Sequence, residues 1–142
     1  MKNDCTFCRI IHGLEHGAFI HQDELVVAFL DINQASPGHT LIVPRIHVPS
    51  WWELPDEEAA AVARVAKPIM QALRMTLEPD GINLVQNNGR AAGQVIFHVH
   101  MHVIPRWQGD RRFGRPPAYA DRHTLDKRAA QLRAALHKIG CA

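Results

Sequence analysis

Residues 97–103 read Phe-His-Val-His-Met-His-Val, a strict alternation of imidazole and apolar side chains. Helical faces repeat at three and four residues, whereas strand side chains point alternately to opposite faces. The pattern therefore predicts a strand, drawn here over Val95–Pro105, with His98, His100 and His102 on one face. Phe97, Val99, Met101 and Val103 share the other, which belongs to a core. Histidine makes up 10 of the 142 residues. Three in alternation then arise by chance roughly a few times in ten thousand starting points, so the row asks for a chemical reason. Close imidazoles depress one another's pKa, and neutral imidazole is a nucleophile, a base or a metal ligand. A plain polar strand face and a three-histidine zinc site remain alternatives at this point.

The rest of the chain supplies an α+β frame. Thr6–His12 reads as one short helical turn stopped by Gly13. Ala18–His21, Glu24–Asp31 and His39–Pro44 read as strands, and Asn33–Gly38 as a loop. Pro55 suits a first helical position, followed by Asp56, Glu57 and Glu58 at the positive end of the dipole. Val62, Val65, Ile69, Leu73 and Leu77 then form one apolar stripe, with Pro68 inside it. Gly81–Gln86 is a further strand, and about His123 to Lys138 a last helix. Five strands around one long helix suit an antiparallel α+β sheet better than a doubly wound parallel one.

Length fits one domain. Residues 1–105 carry 7 basic and 11 acidic side chains, and residues 106–142 carry 9 basic and 3 acidic. A mixed-charge solvated helix explains that tail better than a nucleic-acid surface, so nucleic acid is not the expected partner. No apolar run is long enough to span a bilayer. The polar start MKNDCTFCRI lacks a signal-peptide core, so no membrane association and a cytoplasmic address are expected. Cys5 and Cys8 form a C-x-x-C pair without the βαβ setting of a redox motif, which favours metal ligation. Cys141 stands alone.

Gln86–Gln94 (QNNGRAAGQ) leads into the histidine strand. Gly89 and Gly93 allow close backbone approach to an anion, and Asn87 and Gln94 offer neutral donors. Neither a Walker loop nor a dinucleotide-binding glycine motif is present.

HVHMHV at 98–103 resembles the H-x-H-x-H motif of the histidine-triad (HIT) family of nucleotide hydrolases and transferases. CTFCRII at 5–11, FLDINQASPGHTLIVPRIH at 29–47, LPDEE at 54–58 and LVQNNGRAAGQVIFHVHMHVIPRWQGD at 84–110 extend the likeness. They resemble the bacterial zinc-containing branch, close to Hint and to the dinucleoside polyphosphate hydrolases. The resemblance implies a HIT-like fold: a five-stranded antiparallel sheet with one long and one short helix, here with a C-terminal helical tail. It implies one domain over 1–142, with a core of about 5–106 and a basic extension at 107–142.

The same resemblance implies site residues. His100 matches the family nucleophile, which attacks the α-phosphorus to form a nucleotidyl-histidine. His102 matches the residue that holds phosphate oxygens, aided by Asn87, Gln94 and an amide near Val95, and His98 completes the triad. Val95 stands where the Hint branch has a serine. Asp31 matches the ribose-binding carboxylate, and Phe7, Ile10, Phe29 and Ile32 could line the base slot. Cys5, Cys8, His47 and His98 match a structural zinc set, while magnesium can assist polyphosphate substrates. His39 reads as a supporting core histidine. The implied partners are a purine nucleotide, leaving as an AMP-type product, and a second copy in a homodimer through the long helix, Val62 and Ile69 included, and a sheet edge. The alternatives are a nucleotide-binding regulatory module with weak hydrolysis, and a zinc hydrolase using all three triad histidines.

Overall fold

The computed structural model describes residues 2, 4–111 and 118–140. Cys141 and the Arg/Pro-rich residues 112–117 lie outside the described residues. In chain order the elements are α1 (Thr6–Ile11), β1 (Phe19–Gln22), β2 (Val26–Leu30), β3 (Asn33–Gln34) and β4 (Thr40–Pro44). Then follow α2 (Asp56–Leu77), β5 (Gly81–Val85), β6 (Met101–Arg106), β7 (Ala118–Tyr119) and α3 (Arg122–Ile139). Five strands form one sheet in the order β1-β2-β4-β6-β5, and every pairing is antiparallel. The α+β architecture expected from the sequence is the one observed.

Strand alternation divides the interior into two cores. Val26, Ala28, Leu30, Ile42 and Val103 face α2 and α3. Val27, Phe29, Leu41 and Val43 point the other way, onto Cys5, Phe7, Cys8 and Ile10 of the short α1 region. All residues of β2 and β4 are buried, as two-sided coverage requires. The α2 stripe packs as predicted on Val62, Val65, Ile69 and Leu73. Pro68 sits inside the helix without ending it. Val62 and Ile69 are consumed by the core of the single chain, so those two side chains are not available for a dimer contact.

Two local expectations are corrected. The histidine strand begins at Met101, not Val95, because ladder pairing with β4 starts at Met101 opposite Ile42. Ahead of it the Val99 N–H donates instead to the Val48 carbonyl at 2.9 Å. His98 and His100 therefore precede the strand, although Val99 and Val103 are fully buried as the alternation requires. The segment read as a loop after Asp31 contains β3, which pairs with β7. Gly38 closes the next turn with φ +90, and a β-carbon there would lie 2.6 Å from Leu77 Cδ1. The position needs glycine for both reasons.

The C-terminal helix is part of this packing. Leu125, Ala129, Leu132 and Leu136 are buried with α2 and the sheet, and Arg133 Nη1 donates to the Phe19 carbonyl at 2.6 Å. No helix among the described residues is long and apolar enough to cross a membrane.

Candidate functional site

His102 lies opposite Leu41 in the β4–β6 register, so it projects from the α1 side of the sheet. A cavity of about 550 Å³ opens there. Phe7, Ile10, Phe29 and Leu41 give it apolar walls, and Asp31, His100 and His102 give it polar ones. The His100 and His102 ring centroids are 5.0 Å apart. Phe7 meets the His100 ring edge-on at 5.0 Å, shielding one side of it from water.

Hydrogen bonding assigns a different tautomer to each of these rings. His100 Nδ1 lies 2.7 Å from the His98 carbonyl. A carbonyl only accepts, so Nδ1 carries the proton and Nε2 keeps its lone pair. Burial lowers the pKa of His100, which keeps that lone pair available near neutral pH.

A relay from the backbone sets His102 the opposite way. The Ala35 N–H donates to His39 Nδ1 at 3.0 Å, so the His39 proton sits on Nε2. That proton is donated to His102 Nδ1 at 2.8 Å. His102 must then carry its own proton on Nε2, as a donor. Burial, reinforced by His100, lowers the His102 pKa to about 4, so the ring stays neutral. A nucleophilic nitrogen and a neutral N–H donor thus belong to neighbouring rings of one cavity.

Asp31 directly follows β2 and lines the same cavity as this pair. Its Oδ1 accepts the Asn33 N–H at 2.9 Å, and Oδ2 is 3.6 Å from His39 Nε2. Burial raises its pKa, partly offset by that amide. A half-shielded carboxylate with acceptor capacity left suits hydroxyl donors.

The glycine loop is built differently from the sequence expectation. Gln94 Nε2 donates to the carbonyls of Pro49 (2.6 Å) and Ile96 (3.0 Å), and Gln94 Oε1 accepts the Gly89 N–H at 2.7 Å. Its amide is consumed in holding the loop, so it does not face the cavity. Asn88 Oδ1 accepts the Trp51 N–H at 2.7 Å, tying the loop to the start of a 3-10 turn. Gly93, Val95 and Ile96 line the cavity. Asn87 does not, although its Nδ2 lies 3.7 Å from the place of a Gly93 β-carbon.

Behind the triad, Cys5, Cys8, His47 and His98 converge, with all ligand atoms within 4.8 Å of one another. His98 Nε2 donates to the Pro44 carbonyl at 2.8 Å, which leaves a lone pair on Nδ1. That nitrogen is 3.2 Å from His47 Nδ1, 3.5 Å from Cys5 Sγ and 3.6 Å from Cys8 Sγ. Cys8 Sγ lies 3.3 Å from His47 Nδ1. A zinc tetrahedron with ordinary bond lengths has edges of about 3.3 Å between nitrogens and about 3.6 Å between nitrogen and sulfur. The donor set and its spacing fit zinc. Burial lowers the pKa of His98 to about 4 and also lowers that of His47, which favours the neutral, ligating imidazoles.

A family model described as the HIT domain matches residues 15–109. The chain belongs to the HIT domain family. It is 44% identical over 111 residues to Protein hit of Bacillus subtilis, covering 78% of this chain and 77% of that protein. It is 38% identical over 141 residues to the Arabidopsis thaliana protein named adenylylsulfatase HINT3, covering 99% and 72%. Among solved structures it resembles a hypothetical histidine triad nucleotide-binding protein of Sulfolobus tokodaii, with TM-score 0.87, 34% identity and coverage of 95% and 93%. A zinc-bound histidine triad family protein of Mycobacterium smegmatis gives TM-score 0.85 and 37% identity, with 96% of each chain covered.

In this HIT chain, Phe7, Ile10, Phe29, Asp31, Ile32, Val95, His100 and His102 line one cavity. His98 does not; its ring belongs to the cysteine cluster and only its carbonyl serves His100. The metal-capable groups among the described residues are that cluster and Asp31–His39–His102. Neither unites the three triad histidines, which disfavours the three-histidine zinc hydrolase. Neither is an all-oxygen set of the kind magnesium takes. Sequence reasoning missed Tyr119, Arg122 and Leu125, which also line the cavity. No motif marks them: the β3–β7 pairing brings Tyr119 there, and the packing of α3 brings Arg122 and Leu125.

Proposed function

We propose that this HIT chain is a nucleotide hydrolase or transferase acting at the α-phosphate of adenosine phosphoramidates or dinucleoside polyphosphates. The reaction runs through a nucleotidyl-His100 intermediate. The observation that carries this reading is the pair of opposed tautomers, a free Nε2 on His100 beside an N–H on His102.

In the first step His100 Nε2 attacks the α-phosphorus, a P–N bond forms, and the bond to the leaving group breaks with its electron pair, a polyphosphate leaving as the anion and an amine taking up a proton from solvent as it leaves. Positive charge grows on the ring, and the Nδ1–H bond to the His98 carbonyl stabilises it. His102 Nε2–H donates to a phosphate oxygen, favouring the charge that builds there. In the second step water attacks phosphorus, the P–N bond breaks, and the nucleotide leaves with a proton released. Splitting one displacement into two easier ones is the gain of covalent catalysis. Asp31 accepts the ribose hydroxyls, and the base lies against Phe7, Ile10, Phe29 and Ile32. Asn87 and Gln94 shape the loop whose Gly93–Val95 backbone faces the phosphates.

Cys5, Cys8, His47 and His98 would hold a structural zinc, which would tie α1 to the segment before β6 and so help fix the His98 carbonyl that orients His100. Magnesium would arrive with a polyphosphate chain rather than on protein ligands. The chain is read as one domain pairing into a homodimer, with a cytoplasmic address.

Single-turnover reactions of wild type and His100→Ala test the reading, with adenosine phosphoramidate, diadenosine polyphosphates and adenylyl sulfate, the last suggested by the name of the Arabidopsis relative. Intact mass after quenching is expected to show an AMP-sized adduct on wild type alone. Turnover that survives in His100→Ala would refute the mechanism. Bound nucleotide without turnover would instead favour a regulatory binding module.

A further inference from the structure

The family match ends at residue 109, but the cavity does not. Tyr119, Arg122 and Leu125 line it together with Glu15, His16, Asp31 and Ile32. This stretch is anchored at both ends. Tyr119 pairs with Asn33 and Ala118 with Gln34, and the Ala120 N–H donates to the Ile32 carbonyl at 3.0 Å. Asp121 then caps α3, accepting the Thr124 N–H at 2.9 Å. Leu125 is buried in the core one turn later. The backbone that carries Tyr119 is therefore fixed against the strand only two residues beyond the proposed ribose carboxylate.

The side chain on that anchored backbone is unusual. Tyr119 is 72% exposed and Ile32 is 48% exposed, both on the lining of a cavity whose deeper walls are the buried Phe7, Ile10 and Phe29. An exposed aromatic ring costs hydration free energy unless something flat and apolar covers it. A rim of ring and branched aliphatic above apolar walls suits a planar heterocycle. Its place next to Asp31 suits the base of the same nucleotide whose ribose Asp31 takes.

We propose that Tyr119 is a specificity-determining residue, its phenol ring stacking on the purine of the bound nucleotide. The base end of the site is then built by sequence beyond the residues that the family model matches. Chains with the same triad and a different C-terminal segment would differ in base preference at this point. The inference rests on the nucleotide-binding reading above and adds the residue that recognises the base.

The chain contains one tyrosine, so fluorotyrosine labelling places a single fluorine reporter at residue 119. Saturation with AMP is expected to shift that resonance through the purine ring current, and ribose phosphate, which lacks the base, is expected to leave it in place. In equilibrium binding, Tyr119→Ala is expected to weaken AMP by about five- to a hundred-fold, the range for loss of one base–aromatic stack. Tyr119→Phe keeps AMP affinity, and ribose phosphate binds wild type and Tyr119→Ala alike. Unchanged AMP affinity in Tyr119→Ala, or an equal loss for AMP and ribose phosphate, overturns the stacking role while leaving the nucleotide site standing. Failure of wild type to bind AMP overturns the nucleotide reading and this inference with it.

Discussion

His39 Nε2 lies 2.8 Å from His102 Nδ1, and this contact decides which nitrogen of His102 faces the cavity as a donor. His39 is itself set by the Ala35 N–H, so a backbone amide ultimately fixes the protonation pattern of the site. His100 is fixed independently, by the carbonyl of His98. Two neighbouring imidazoles thereby adopt opposite tautomers.

Replacing His39 by Phe keeps a ring of similar shape and deletes the donor. His102 then loses the bond that selects its tautomer, and its N–H is no longer held on Nε2. Single-turnover rates are expected to fall roughly ten- to a hundred-fold, the size seen when a partner that orients a site histidine is lost. KM should move less, because the apolar walls are untouched and the Asn33 N–H still holds Asp31 Oδ1, although Asp31 Oδ2 loses its neighbour at 3.6 Å. His39→Gln, which restores an N–H donor, is expected to recover part of the rate. A KM effect with an unchanged maximal rate would contradict the relay.

The Cys5–Cys8–His47–His98 cluster makes a second set of outcomes. Protein purified without chelator is expected to carry one zinc per chain, measured by native mass or metal analysis. A structural zinc contributes several kcal/mol to folding, and a chain of this size shifts Tm by about 3 °C per kcal/mol. Removing zinc, or substituting Cys5→Ser, should therefore lower Tm by roughly ten degrees or more. Activity should follow the folded fraction. Activity lost while Tm is unchanged would point to zinc acting in the chemistry.

Much of this was legible because alternation is a local property. Period-two geometry placed Val99 and Val103 in the core correctly, but ahead of the true strand start it failed for Phe97, expected in the core and found exposed beside Arg90. The zinc set came through the likeness of CTFC and the His47 and His98 positions to a known family. Gln94 shows where such transfer stops. A side chain of the right type at the right place turned out to have its amide engaged by Pro49, Ile96 and Gly89, and no one-dimensional pattern carries that. Tyr119 was invisible for a different reason. A two-residue strand has no periodicity to detect, and its partner, Asn33–Gln34, sits in a stretch rich in turn formers.

The C-terminal helix gives a prediction about what the fold needs. Leu132 is fully buried in the core shared with α2 and the sheet, although the family match stops at residue 109. Leu132→Ala removes buried methyl groups and opens a cavity, which costs about 2–5 kcal/mol. Lys127→Ala, on the exposed side of the same helix, should cost less than about 0.5 kcal/mol. Urea unfolding of the two variants checks this. Equal, small effects would mean that the helix is an appendage, separable from the core.

Acid should weaken the fold through the cavity histidines, and His102 offers the clean test. Its native pKa is lowered from 6.5 to about 4, by burial first and by His100 second. Between these values the unfolded chain binds a proton that the native ring refuses. Stability therefore rises with pH across that window and declines on acidification, while this group contributes no slope above it. Its share of the slope approaches about 1.4 kcal/mol per pH unit in mid-window. His102→Gln cannot titrate, so its stability profile should be flatter than that of wild type by about that amount between pH 4 and 6.5. Urea midpoints at several pH values measure the difference. Parallel profiles would show that the native His102 ring titrates as it does in the unfolded chain, so that burial does not hold it neutral across that window.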